Sequence, residues 1–207
     1  MRVNHLTERV SSWKKHSTFI VGRKHQTAIY NQSDSPLRYK EGQTGEIRWK
    51  WIHLPMKSQN RTINKLVVSN EGTEETTVRL NIRYEMIARG AEVVYYSPSQ
   101  ESLIVHDRNC YALFGGMTSQ ETMCKYSTTL LDEAGRHETE HAAMQPIVQF
   151  SHGWGLEYHM VLQPDESGYF YEWEMKHEDL LWLEDAHAQY LGLLSSGAGT
   201  ARSIVNE

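Results

Sequence analysis

Cysteine is nearly missing from this 207-residue chain: Cys110 and Cys124 are its two, enough for one internal disulfide and spaced like neither a metal nor a redox pair. Free thiols are the expectation. Basic residues are in deficit, 21 Lys plus Arg against 26 Asp plus Glu for a formal charge of -5. With no cationic surplus to neutralise a phosphate backbone, nucleic acid is not an expected partner. No apolar run approaches the ~20 residues of a membrane-spanning helix. The N-terminal MRVNHLTERVSSWKKH also lacks the continuous apolar stretch of a secretory leader. A cytoplasmic protein with no membrane partner is expected. The sequence has no G-x-S-x-G, no G-x-x-x-x-G-K-[ST] and no G-x-G-x-x-G, so neither a hydrolase elbow nor a nucleotide loop has support, and no cofactor is expected.

What the sequence does have is period two. Val78, Leu80, Ile82, Tyr84 and Met86 alternate with Arg79, Asn81, Arg83 and Glu85, which gives an extended strand one apolar and one charged face. Ile47, Trp49 and Trp51 alternate with Arg48 and Lys50, while Leu156, Tyr158, Met160 and Leu162 share one face of a third segment. Tyr169, Tyr171, Trp173 and Met175 follow the turn PDESG, which predicts a hairpin with the segment before it. Shorter strands are expected at 18–21, 26–31, 65–69, 92–96, 102–106 and 110–114, separated by polar turns such as QSDSP, NEGTEE and SPSQ; Gly115-Gly116 reads as a turn at a strand end. Many strands, short turns and no interleaved helical period point to a mainly β fold, a two-sheet antiparallel β-sandwich. The expected inner faces are Val78, Leu80, Ile82, Tyr84, Leu156, Tyr158, Met160 and Leu162. The stretch 118–149 is mixed, with a strand expected in 122–131 and a helical turn or two in 138–144.

The C-terminal region changes period. Leu180, Leu183, His187, Tyr190, Leu191 and Leu194 recur at three and four, predicting an amphipathic helix over 178–194. Its stripe needs a cover. The expectation is that it folds back on the sandwich and contributes to a homodimer. Residues 1–195 then form one domain, and 196–207 a flexible tail.

Candidate chemistry is sparse. His137-Glu138-Thr139-Glu140-His141 fits H-E-x-x-H, in which His137 and His141 on one helix face hold Zn and Glu138 serves as general base. Its flanks lack apolar periodicity and Gly135 precedes it, so a solvated polar segment is the stronger reading. Six further histidines, His25, His53, His106, His152, His159 and His177, lie beside strands; single histidines there are mostly structural. The bias within the aromatics says more, with 6 Trp and 11 Tyr but only 4 Phe. A flat apolar face carrying a polar atom suits stacking on a sugar ring and hydrogen-bonding its hydroxyls. The candidate carbohydrate contacts are therefore Trp49, Trp51, Trp154, Tyr169 and Tyr171. Packing in the core is the stronger reading for each run, because each alternates with charged residues, and Trp154, flanked by glycines in SHGWGLE, is the one most expected at a rim.

The order of features in INKLVVSNEG, TTVRLNIRYEMI and EVVYYSPSQESLIVHDRNCYALFGG, continued by QPIVQFSHGWGLEYHMVLQPDESGYFYEWEM, resembles the N-terminal domain of bacterial glucoamylase-like glycoside hydrolases. That domain is a supersandwich of the galactose-mutarotase-like type. The resemblance spans roughly residues 64 to 195 and implies a supersandwich-like fold with a carbohydrate association. It carries no catalytic residue over, because in that family the catalytic carboxylates belong to a separate helical barrel. The leading functional expectation is a non-catalytic carbohydrate-associated module that takes an oligosaccharide. The alternatives are a structural or protein-interaction domain, homodimeric, and a metal-dependent hydrolase at HETEH.

Overall fold

The computed structural model describes residues 13–22, 25–31, 39–54, 56, 60–87, 89–120, 125–130 and 145–196. Thirteen strands and one helix follow in chain order: β1 (Trp13–Val21), β2 (His25–Asn31), β3 (Tyr39–Thr44), β4 (Ile47–Leu54), β5 (Arg61–Asn70), β6 (Thr76–Met86), β7 (Ala91–Ser97), β8 (Ser102–Asp107), β9 (Cys110–Thr118), β10 (Lys125–Ser127), β11 (Ile147–Ser151), β12 (Gly153–Leu162), β13 (Ser167–His177) and α1 (Leu180–Ser196). They form two antiparallel sheets. The smaller has the order β10-β12-β6-β1-β2 and the larger β11-β7-β8-β9-β13-β5-β4-β3. No helix among the described residues is long and apolar enough to cross a membrane.

The strict alternation of β6 and β12 makes them the floor of the core. They pair in register from Gly153↔Glu85 to Leu162↔Thr76, so Leu156, Tyr158, Met160 and Leu162 stand beside Ile82, Leu80, Val78 and their neighbours on one face. All eight residues expected there are fully buried. Facing them from the larger sheet are Trp49, Trp51, Leu66, Val68, Leu103, Val105, Phe114 and Phe170. An aromatic knot spans the two layers: Phe114 lies 4.5 Å from Tyr84 and 5.3 Å from Trp154, with Trp13 5.3 Å from Trp154.

Two expectations change. The turn at Pro164–Gly168 does not close a hairpin, because β12 pairs with β6 and β10 while β13 pairs with β5 and β9 in the opposite sheet. The turn is an arch between layers. Buried Asn70 holds it, donating to the carbonyls of Leu162 (3.1 Å), Gln163 (3.2 Å) and Glu74 (2.8 Å), while its backbone N–H bonds the Glu166 carbonyl. Gly115-Gly116 is not a strand-end turn either, for β9 continues to Thr118. A Cβ on Gly115 would lie 2.7 Å from His187 and 2.8 Å from Trp173, and one on Gly116 would collide with the Tyr158 hydroxyl; the two glycines make room on both faces of a mid-sheet strand. Finally, β3 and β11 lie at the two edges of the larger sheet, where sequences such as YKEGQT bury little and leave no apolar period to read. The short β10 falls inside the strand expected over 122–131.

The helix folds back on its own sheet, as its stripe requires. Leu183, Ala186 and His187 are buried, and with Leu180, Tyr190, Leu191 and Leu194 they cover Ile63, Ile104, Leu113, Trp173 and Met175 on the outer face of the larger sheet. It starts two residues later than expected because Asp179 caps it, its carboxylate accepting the Leu181 N–H at 2.9 Å. His187 fastens the centre. Its Nδ1 accepts the Trp173 indole N–H at 3.0 Å, so its Nε2 carries the proton given to the Gln100 carbonyl at 2.6 Å. Burial lowers the pKa of His187 below its ordinary 6.5, outweighing the Gln100 carbonyl and Glu101, which act the other way. In the unfolded chain the same imidazole takes a proton near pH 6.5, so the stability it contributes is complete above that pH and declines as the pH falls below it. Urea midpoints should drop more between pH 7.5 and 5.5 for the wild type than for His187→Gln; parallel declines would mean that His187 has no part in the acid response.

Candidate functional site

The register of four strands assembles an aromatic and cationic surface beside α1. One row runs Tyr39↔Ile52↔Lys65↔Tyr171↔Met117 and the next Glu41↔Lys50↔Val67↔Tyr169. Tyr171 and Met117 abut the apolar cluster beneath the helix, which places both rows on the outer face of the larger sheet, where the helix cover ends. Residues i and i+2 of a strand share a face, so Tyr169 and Tyr171 meet edge to face, centroids 5.2 Å apart at 68°. The Lys65 ammonium lies over both rings, 4.8 Å and 4.9 Å from their centroids. Tyr39, 50% exposed, carries the Lys50 ammonium at 4.7 Å, and Lys50 also reaches the Glu41 carboxylate at 3.9 Å.

Burial, with a smaller contribution from Tyr171, raises the Tyr169 phenol above its ordinary 10.0. At neutral pH it is a protonated O–H, able both to donate and to accept. The platform thus offers angled ring faces, phenolic hydroxyls and ammonium donors, the groups that stack on and hydrogen-bond a sugar. Within these two rows the sole carboxylate is Glu41, and it is paired. The two free carboxylates of a glycosidase are not assembled there.

Of the five candidate carbohydrate contacts, Tyr169 and Tyr171 are half-buried on this platform. The three tryptophans are not accessible. Trp49 covers Gly42 and gives its indole N–H to Thr44 at 3.0 Å, Trp51 lies beside Lys15, and Trp154 is 0% exposed at the centre of the aromatic knot. The rim position expected for Trp154 is thereby corrected: the alternation of β12 turns it inward with Leu156 and Tyr158. His137, Glu138 and His141 lie outside the described residues. Among the described residues no group of three or more His, Cys, Asp and Glu could hold a metal ion, and Cys110 is a free thiol. Three of the strand-flanking histidines have separate partners: His53 bonds Asn64, His106 lies 3.5 Å from Glu92, and His177 stacks on Trp182.

A second polar group was not anticipated from the sequence. Glu172 is fully buried between the sheets, where its carboxylate accepts from the Lys15 ammonium, the Asn64 amide and, at 3.3 Å, the Tyr84 hydroxyl. Because Asn64 turns its NH2 toward that carboxylate, its Oδ1 faces His53 and accepts the Nδ1–H at 2.8 Å. This chain leads from the exposed His53 to the buried Lys15, whose ammonium lies 5.7 Å from the Trp51 ring and 5.8 Å from Tyr84. The charges balance. The cluster specifies the interior and leaves the outer platform as the surface open to a ligand.

The chain matches no family model and no curated protein. Solved structures do resemble it. A polysaccharide lyase superposes with a TM-score of 0.50 at 14% identity, over 80% of this chain and 26% of the lyase. A protein provisionally described as a kojibiose phosphorylase from the human microbiome gives 0.41 at 11% identity, over 83% of this chain and 20% of its own length. The chain thus has the fold of about a quarter of a carbohydrate-active enzyme, and fold alone does not assign an activity.

Proposed function

We propose that this chain is a carbohydrate-associated β-sandwich module that binds an oligosaccharide on the Tyr169–Tyr171 platform and breaks no bond itself. The observation that carries this reading is the pair of angled tyrosines with Lys65 above them, on a sheet face that the helix leaves uncovered. The sandwich shared with part of a polysaccharide lyase supports it. A glycan array followed by calorimetry tests it. Tyr169→Ala with Tyr171→Ala should weaken binding of the best oligosaccharide about tenfold or more, each lost stacking contact contributing on the order of 1 kcal/mol, whereas Trp49→Phe should not. If the wild type retains no oligosaccharide, the reading is wrong.

A protein-interaction role is the second reading. Leu181 and Leu193, each 70% exposed on the outer side of α1, are what the helix offers a second copy. Light scattering that shows a dimer dispersed by Leu181→Lys and Leu193→Lys would favour it.

A further inference from the structure

Resting on that reading, we propose that the platform selects an acidic oligosaccharide, one whose sugar ring carries a carboxylate, with Lys65 as the residue that recognises it. Among the described residues, the other cations of this face are engaged. Arg48 pairs with Glu71 at 3.0 Å, Lys50 lies by Glu41, and the Arg61 guanidinium stacks on Trp182 at 4.3 Å. Lys65 differs from Arg48 and Lys50 in having no carboxylate partner among the described residues, and from Arg61 in lying over two rings at once, those of Tyr169 and Tyr171.

A half-buried ammonium between two rings is partly stripped of water and remains uncompensated in charge. An ammonium has three N–H donors, and those not turned to the two rings are free to meet a ligand on the same face as the Tyr169 and Tyr171 phenols. A sugar stacked on either tyrosine would set a ring carboxylate where it accepts from the ammonium and a phenol together, a charge-assisted contact that a neutral hydroxymethyl group cannot make. Lys50 sits diagonally across the β4–β5 pair, roughly 7–8 Å away at Cβ, and adds positive potential. The two rows together carry Lys50 and Lys65 against Glu41, a local surplus of one positive charge in a chain of formal charge -5. An anion is therefore drawn to this face rather than to the surface at large.

Calorimetric titration with galacturonate, glucuronate and mannuronate oligosaccharides, each beside its methyl ester, separates charge from shape. The acid form of at least one should bind about tenfold tighter than its ester, the effect of one charge-assisted hydrogen bond. Salt should erode that difference, Lys65→Gln should abolish it with the melting temperature unchanged, and Lys65→Arg should restore most of it. Equal affinity for acid and ester, binding of neutral oligosaccharides alone, or preference for sulfated sugars over uronates would overturn the acidic assignment while leaving the platform in place. No binding of any sugar, charged or neutral, would overturn the platform reading itself.

Discussion

Replacing Lys15 with Met should cost about 3–5 kcal/mol of folding stability, the penalty for leaving a buried charge without its partner. The loss comes from Glu172, not from Lys15. The Glu172 carboxylate is fully enclosed between the sheets, and of the groups bonded to it only the Lys15 ammonium carries a charge; Asn64 and Tyr84 donate as neutral groups. Methionine fills the lysine stem but leaves the negative charge in a medium that solvates it poorly. Combining Lys15→Met with Glu172→Gln removes the charge and keeps an oxygen to accept from Asn64, so the double variant should be more stable than Lys15→Met alone. Urea denaturation of the wild type, both single variants and the double closes the cycle. If the double variant loses the sum of the two singles, Lys15 and Glu172 are not coupled and the pair merely coincides in space.

Sequence pattern exposed the core because β6 and β12 carry an unbroken alternation that only one register can bury. It misassigned β13 for a physical reason. Tyr169, Tyr171, Trp173 and Met175 alternate with Phe170, Glu172, Glu174 and Lys176, which looks like an apolar face opposite a charged one. In the fold both faces are covered along half of the strand, by α1 outside and by the facing sheet inside. The charged side then has to enter the interior, and Glu172 does so only because Lys15 comes from a strand more than 150 residues earlier. No local window contains that pair.

The arch between β12 and β13 failed in the same way. PDESG has the chemistry of a tight reversal, yet whether a chain returns beside itself or crosses to the facing sheet depends on which strands are already waiting. Here β6 holds β12, β5 and β9 hold β13, and Asn70 fixes the corner. For the candidate site, composition identified the residue type and register decided the members. Trp49 and Trp51 share the phase of Ile47 and go inside with it, whereas Tyr169 and Tyr171 share the phase of Lys65 and Lys50 through their strand partners. The signal for Lys65 was in the sequence only as one cation within INKLVVSNEG; cross-strand pairing gives it its meaning.

The helix supplies the second large effect. Leu183→Asp with Leu191→Asp should undock α1, since Leu183 is fully buried among Ile63, Ile104, Leu113, Trp173 and Met175 and an aspartate there would set a charge in an apolar cluster. Losing one buried leucine and half of another removes about 3 kcal/mol, which for a chain of this size corresponds to a fall of about 6–12 °C in melting temperature. Undocking also uncovers Trp173, otherwise fully buried and hydrogen-bonded to His187, so tryptophan emission should move to longer wavelength at temperatures where the sandwich remains folded. The two readouts separate a docked helix from an appendage. A wild-type melting temperature with unshifted emission would mean that the stripe contributes nothing to the monomer. A shift in emission without loss of sugar binding would show that Tyr169, Tyr171 and Lys65 keep their positions without the helix beside them, as expected if β5 and β13 alone hold the platform in register.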